Sequence, residues 1–199
     1  AALKLPIGEA ISRAANTYGV QYVIPFSYFH KYQREDSAWV GKYRAPLEDY
    51  CIGFNSDERQ LLPAFTRYDM SKDSFYDIAP PETPNALFSP SEFGDDWAEP
   101  LSKRDKERIT DYFTAISHLQ KSVDFIDIRV AGEDHVIALK KSNFSKGVIF
   151  EVPRRSLMRA IRMEIFEDLL IGNFMKATLV GKWPKTKLYP DFFYVCKYA

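Results

Sequence analysis

The N-terminal stretch carries two apolar patterns in succession. Ile7, Ala10, Ile11, Ala14 and Ala15 recur at helical spacing, which predicts a helix from Gly8 to Tyr18 with Gly19 as its stop. Val20-Gln21-Tyr22-Val23-Ile24 then runs largely apolar and is closed by Pro25, the pattern of a buried strand. A helix, a glycine and a buried strand make half of a βαβ unit. The other strand would lie upstream of Ala1, so the expectation is a segment of a longer protein. The unstopped apolar end, Val195-Cys196-Lys197-Tyr198-Ala199, points the same way.

Between residues 26 and 100 the periodicity fades. Leu61 to Tyr68 predicts one more strand, and Ile78 to Pro100 is proline-rich, an ordered connection or a domain junction. Phe88, Phe93 and Trp97 give that connection rings with which to pack.

A second unit begins at Leu101. Ser102 and Asp105 have the spacing of a capping box, with Asp in place of the usual Glu. Ile109, Tyr112, Phe113, Ile116 and Leu119 then form one apolar helical face. Strands are predicted at Val123 to Val130, His135 to Lys140 and Val148 to Val152, with a hairpin turn at Gly132-Glu133-Asp134. A helix from Arg154 to Ile165, a short one from Phe166 to Ile171, and a strand from Met175 to Val180 follow. Pro190 would open a last aromatic helix. The organisation expected is therefore a segment over residues 1–77, a proline-rich connection over 78–100, and an α+β unit over 101–199.

Charge and composition remove several function classes. Lys+Arg and Asp+Glu both number 27, so the net charge is zero and no basic excess marks a nucleic-acid binder. The run Lys103-Arg104-Asp105-Lys106 reads as the solvated first turn of a helix. No apolar run has the length of a membrane span, and no signal-peptide pattern is present. The two cysteines, Cys51 and Cys196, lie far apart, which argues for free thiols in a reducing, cytoplasmic setting. Aromatics make up 15%, enough to fill a core and also to line a cleft or a contact surface.

No complete catalytic motif is present. The three histidines, His30, His118 and His135, have no second His or Cys at ligand spacing, so no metal ligand is assigned to this chain. There is no nucleophile elbow and no phosphate-binding glycine loop. Cys51 lacks an activating neighbour and reads as a buried thiol. His30 stands apart because it follows a predicted strand end, where sites of α/β proteins collect. Asp36 and Asp49 are candidates for a base or a substrate-orienting role, against a capped, charged loop. Arg67-Tyr68-Asp69 reads as an ordinary surface pair rather than an anion site.

The stretch Tyr22-Val23-Ile24-Pro25-Phe26 resembles the late strand of a metallo-β-lactamase-fold protein. The longer run through Ser27-Tyr28-Phe29-His30 is similar to members related to ascorbate-phosphate lactonases and to CMP-N-acetylneuraminate hydroxylase. The likeness covers roughly residues 1 to 70. It implies a mixed α/β fold in which this chain closes an αββα sandwich. The family's ligand motif, His-x-His-x-Asp-His, is absent, so the resemblance implies that zinc or iron is held upstream, by the rest of the protein or by a partner chain. Many members carry a metal-binding His two residues after the strand-end proline. Ser27 occupies that position here, so His30 is not carried over as a ligand. On this resemblance the chain supplies a substrate wall for a metal-dependent hydrolase or oxygenase acting on a small molecule. His30 and Asp36 are the catalytic candidates, and Ser27, Tyr28, Arg34 and Asp49 the substrate-binding ones.

The second unit is similar in element order to sterol-carrier-protein-like domains. Val152-Pro153 to Leu157, Asp168-Leu169-Leu170-Ile171-Gly172 and Lys176-Ala177-Thr178-Leu179-Val180-Gly181 carry the likeness. It implies the rival function, a non-catalytic binding module with an apolar cavity or a docking face for a lipid or a protein.

Overall fold

The computed structural model describes residues 7–25, 31–43, 46–55, 59–79, 81–82, 84–140, 144–172 and 175–183. The chain is a mixed α/β protein, as its periodicities predict. It divides into two compact units, one made of Ala1–Tyr32 and Val40–Ala86, the other of Gln33–Trp39 and Leu87–Ala199. The short segment Gln33–Trp39 thus belongs with the C-terminal unit, although its sequence neighbours on both sides do not.

In the N-terminal unit, helix α1 (Ile7–Tyr18) ends at Gly19, whose φ of 63° lets the Val20 amide turn back to the Ala15 carbonyl at 3.2 Å. Its fully buried face is Gly8, Ser12 and Ala15 rather than the isoleucine stripe the spacing predicts. The cause is close backbone approach. A Cβ on Gly8 would stand 2.4 Å from the Ile52 carbonyl oxygen, and the Ser12 hydroxyl accepts the Asn55 amide at 2.8 Å.

Strand β1 (Tyr22–Val23) pairs in parallel with β2 (Gln60–Leu61). The apolar run around β1 is only half-buried, since one parallel neighbour covers one edge. The single strand predicted from Leu61 to Tyr68 is broken in two. Pro63 has no amide to donate, and Phe65 takes a φ of 61°, so β2 ends and β3 (Thr66–Asp69) starts a new hairpin with β4 (Ser74–Asp77). Tyr22 packs on Tyr68 and Phe75 of this hairpin, with ring centroids 5.2 and 5.0 Å away. The Tyr68 hydroxyl donates to Asp73 at 2.8 Å.

The C-terminal unit is a sheet with helices on one face. Helix α2 (Lys103–Ala115) opens with the predicted capping box: Ser102 Oγ accepts the Asp105 amide and Asp105 accepts the Ser102 amide, at 3.2 and 3.0 Å. A single turn, α3 (Leu119–Ser122), leads into β5 (Phe125–Val130), β6 (Glu133–Ala138) and β7 (Gly147–Glu151). Then come α4 (Arg154–Met163), α5 (Asp168–Gly172) and β8 (Lys176–Val180). The sheet order is β6-β5-β7-β8, with β5 and β7 parallel at the centre and both outer strands antiparallel to them.

Register follows the period of two. Ile126, Ile128 and Val130 of β5, with Val148 and Phe150 of β7, lie against Ile109, Phe113, Leu157 and Phe166 in one apolar core. Each such side chain contributes about 1.5–3 kcal/mol on burial. The hairpin turn is one step earlier than predicted. It is the pair Ala131-Gly132, both at positive φ, which is the two-residue geometry that matches strand twist. Glu133 and Asp134 are thereby inside β6, where Asp134 pairs with Arg129 at 2.6 Å. The segment from Pro190 onward and Cys196 lie outside the described residues.

Two aspartates on β5 or just before it experience opposite environments. Asp124 receives Lys140 Nζ at 2.8 Å, Ser145 Oγ at 2.9 Å and the Lys146 amide at 2.9 Å, tying the start of β5 to the flanking strands. These bonds, Lys140 first, hold its carboxyl well below the usual carboxylate range. Asp127 faces away from the helices, is only 5% exposed, and its Oδ1 has no hydrogen-bond partner among the described residues. Burial, and then the neighbouring charge of Asp134, pushes its carboxyl up.

Asp124 therefore contributes stability that is present above the unfolded value near 4 and lost as pH falls through the lower folded value. Asp127 acts in the other sense, its stabilisation being present below that pH and lost as pH rises. Thermal unfolding from pH 2 to 8 checks both: Asp124→Asn lowers the midpoint at neutral pH with the deficit shrinking in acid, and Asp127→Asn raises it at neutral pH. A second test is at the turn. Ala131→Asn relieves the left-handed penalty and is expected to add about 0.5–1 kcal/mol in urea unfolding.

Candidate functional site

The N-terminal unit has a cleft of about 940 Å³ that runs along β1 and β2 and past their C-terminal ends. Pro25 lies past the end of β1, and Leu62, Pro63 and Ala64 continue β2; all four line it. Parallel strand ends gather ligand sites because side chains and free backbone groups converge there. The opposite wall comes from a 3₁₀ turn over Leu47–Tyr50 and the residues after it.

The lining mixes rings, amides and two charges. Tyr22, Tyr50 and Phe54 supply apolar faces, Gln21 and Gln60 supply amides, and Glu48 and Arg59 supply opposite charges. Cys51 also lines the cleft and is exposed, which corrects the buried-thiol expectation. The reason is local: Cys51 closes the 3₁₀ turn, its amide bound to the Glu48 carbonyl at 3.0 Å, and this leaves its side chain at the rim. Such a lining can bind and orient a small polar molecule. Among the described residues no base is hydrogen-bonded to the Cys51 thiol.

The candidates from the sequence are distributed unevenly about this cleft. Ser27, Tyr28 and His30 lie outside the described residues. Asp49 is half-buried in the 3₁₀ turn, between Glu48 and Tyr50, which line the cleft. Arg34 and Asp36 belong to the C-terminal unit.

There they take part in an ionic clip. The Arg34 guanidinium donates to Asp36 at 2.9 Å and pairs with Asp95 at 2.7 Å, and the Trp97 indole donates to Asp36 at 2.9 Å. The Arg34 and Asp36 side chains are 12% exposed and Asp95 is 1% exposed. The backbone joins in, with the Phe88 amide bound to the Gln33 carbonyl at 2.7 Å and the Glu35 amide to the Phe88 carbonyl at 3.0 Å. Asp95 in turn accepts the Ser156 amide and hydroxyl at 2.9 and 2.6 Å. Since the N-cap of α4 is Pro153, which has no capping side chain, Asp95 caps this helix from another part of the chain. Arg154 is held alongside by Asp105 and Glu99. Burial pushes the Asp105 carboxyl up, yet the bonds from Ser102 and Arg154 outweigh it and leave it lowered.

Asp95 and Ser156 were not among the residues singled out from the sequence, and Trp97 was named there only as a packing ring. The available signal was indirect: a helix starting Pro153-Arg154-Arg155 needs a carboxylate from elsewhere. His135, to which the sequence assigned no ligand role, is half-buried, its Nε2 3.0 Å from both the Thr110 hydroxyl and the Lys106 carbonyl oxygen.

Among the described residues, no three His, Cys, Asp or Glu side chains are grouped so as to hold a metal ion. No helix of the described residues is long and apolar enough to cross a membrane. Comparison of the chain with models of protein families, with curated proteins and with solved structures finds no match.

The clip makes a sharp prediction. Arg34→Ala leaves Asp95 and Asp36 buried without their cation, a loss of about 3–5 kcal/mol for a pair of this kind. Urea unfolding followed by far-UV circular dichroism measures it, and a change below about 1 kcal/mol would show that the carboxylates find other partners.

Proposed function

We propose that the chain is the closing part of a metal-dependent hydrolase or oxygenase of the metallo-β-lactamase fold, and that it contributes the wall of a small-molecule site. The observation that carries this reading is the cleft at the ends of the parallel strands β1 and β2. The sequence places Ser27, Tyr28 and His30 within five residues after Pro25 of that cleft's lining. In this reading those side chains, with Asp49 on the neighbouring turn, face substrate. Arg34 and Asp36 hold the segment that follows them in place through their clip with Asp95 and Trp97.

In this reading zinc or iron is bound by the upstream part of the protein or by a partner chain; among the described residues no three potential ligands are grouped. No step through that metal is assigned to the residues of this chain. The partners on this reading are the metal-bearing half and a small-molecule substrate in the cytoplasm, with no nucleic acid.

Metal analysis of the natural-length protein tests the reading, with this chain alone as the control. Stoichiometric zinc or iron in the former and none in the latter is the expected result. Stoichiometric metal in this chain alone, or none in the natural-length protein, overturns it.

A further inference from the structure

The outer surface of the C-terminal unit carries a second concavity, a groove of about 410 Å³ between α2 and α4. Its floor is apolar, formed by Ala115, Met158 and Ile161. Arg108 stands on the α2 rim and Arg162 on the α4 rim. Arg104 lies one turn before Arg108, and Arg159 lies three residues before Arg162, so both extend the same two rims.

These four arginines differ from Arg34, Arg129 and Arg154, and also from Arg155, which has no carboxylate partner among the described residues but donates to the Gly94 carbonyl at 3.4 Å. Arg34, Arg129 and Arg154 each pair with a carboxylate, at 2.7 Å for Arg34 and 2.6 Å for Arg129. No carboxylate among the described residues is in ion-pair contact with Arg104, Arg108, Arg159 or Arg162, and all four are exposed. Helix α4 concentrates the effect, since Arg154–Met163 holds four arginines and no acidic residue.

We infer that this groove is a docking surface for an acidic protein segment carrying an apolar anchor residue. The unpaired guanidiniums select carboxylates, and their forked donors hold them bidentately. Met158 offers an adaptable apolar floor for one or two anchoring side chains. Helix-in-groove recognition uses this combination of apolar floor and charged rim. A phosphate backbone or an anionic lipid surface fits less well. Either would set negative charge against Asp111 and Glu164, which also line the groove, and the chain as a whole carries no net positive charge to attract a polyanion. A peptide can place its acids on the arginines and avoid the two carboxylates. This inference is independent of the metalloenzyme reading, and either can fail alone.

A phage-displayed dodecapeptide library selected on the immobilised full chain tests it. The expected enrichment is in sequences with Asp or Glu flanking an aliphatic or aromatic residue. A fluorescein-labelled consensus peptide is expected to lose at least about tenfold in affinity against Arg108→Glu/Arg162→Glu, with binding weakening as salt rises. The milder pair Arg108→Gln/Arg162→Gln, checked for folding by circular dichroism, is expected to move the affinity in the same direction. No enrichment, enrichment without acidic residues, or a consensus that binds the substituted chains equally overturns the inference. So does binding to phosphatidylserine vesicles or single-stranded RNA, lost in the same variants, when the peptides do not bind.

Discussion

Helix α4 begins at a proline followed by two arginines, and nothing in its own sequence satisfies that start. Its first amides need acceptors, and positive side chains at a helix N-terminus are opposed by the helix dipole. Two aspartates from outside the helix resolve both problems. Asp95 takes the Ser156 amide and hydroxyl, and Asp105 takes Arg154 while closing its own capping box on Ser102. Asp95, almost fully buried, then needs a cation of its own, which Arg34 provides. The N-terminus of one helix thus fixes the loop around Asp95, the start of α2 and the segment around Arg34 relative to each other within the C-terminal unit. Removing any member strands a desolvated charge, and this gives the network its leverage over the surrounding packing.

The same network bears on how candidate functional residues are weighed. Arg34 and Asp36 have the residue types of an anion holder and a base, and they follow a predicted strand end. Their side chains are instead engaged by Asp95 and Trp97. A guanidinium bound to two buried carboxylates has few donors left for a substrate. The exposed polar groups around the cleft, Glu48 and Cys51, are in contrast open to a ligand. Burial and pairing distinguish structural charges from available ones, whereas residue type does not. The contrast recurs on the helical layer, where the paired Arg154 supports the fold and the unpaired Arg108 and Arg162 are accessible at the surface.

Two surfaces among the described residues carry the functions proposed for the chain. One is the cleft at parallel strand ends, whose mixed lining suits a small polar molecule. The other is the α2–α4 groove, whose apolar floor and arginine rims suit a protein segment. They differ in chemistry because they are built differently. The cleft is walled by a strand pair and a 3₁₀ turn, while the groove is the seam between two amphipathic helices whose inner faces are already committed to the core.

The sequence by itself determined the mixed α/β class, the existence of α1, α2 and α4, the succession of strands and helices along the C-terminal unit (but not the order of strands in its sheet) and the capping box at Ser102. All of these rest on local periodicity or on contacts three residues apart, which a linear pattern records. It also showed that no complete catalytic motif is present. It could not register the break at Pro63 and Phe65 that makes a separate hairpin, the small-residue face by which α1 meets the backbone at Ile52, or the exposure of Cys51. Those follow from close approach between distant segments. Above all, only the tertiary structure decided which charges are paired. Asp95 meets Ser156 across a sequence separation of 61, and Arg34 meets Asp95 across the same span. An ion pair between remote segments leaves no periodic trace in a sequence, because its energy depends on burial and distance, and both are fixed only when the chain has folded.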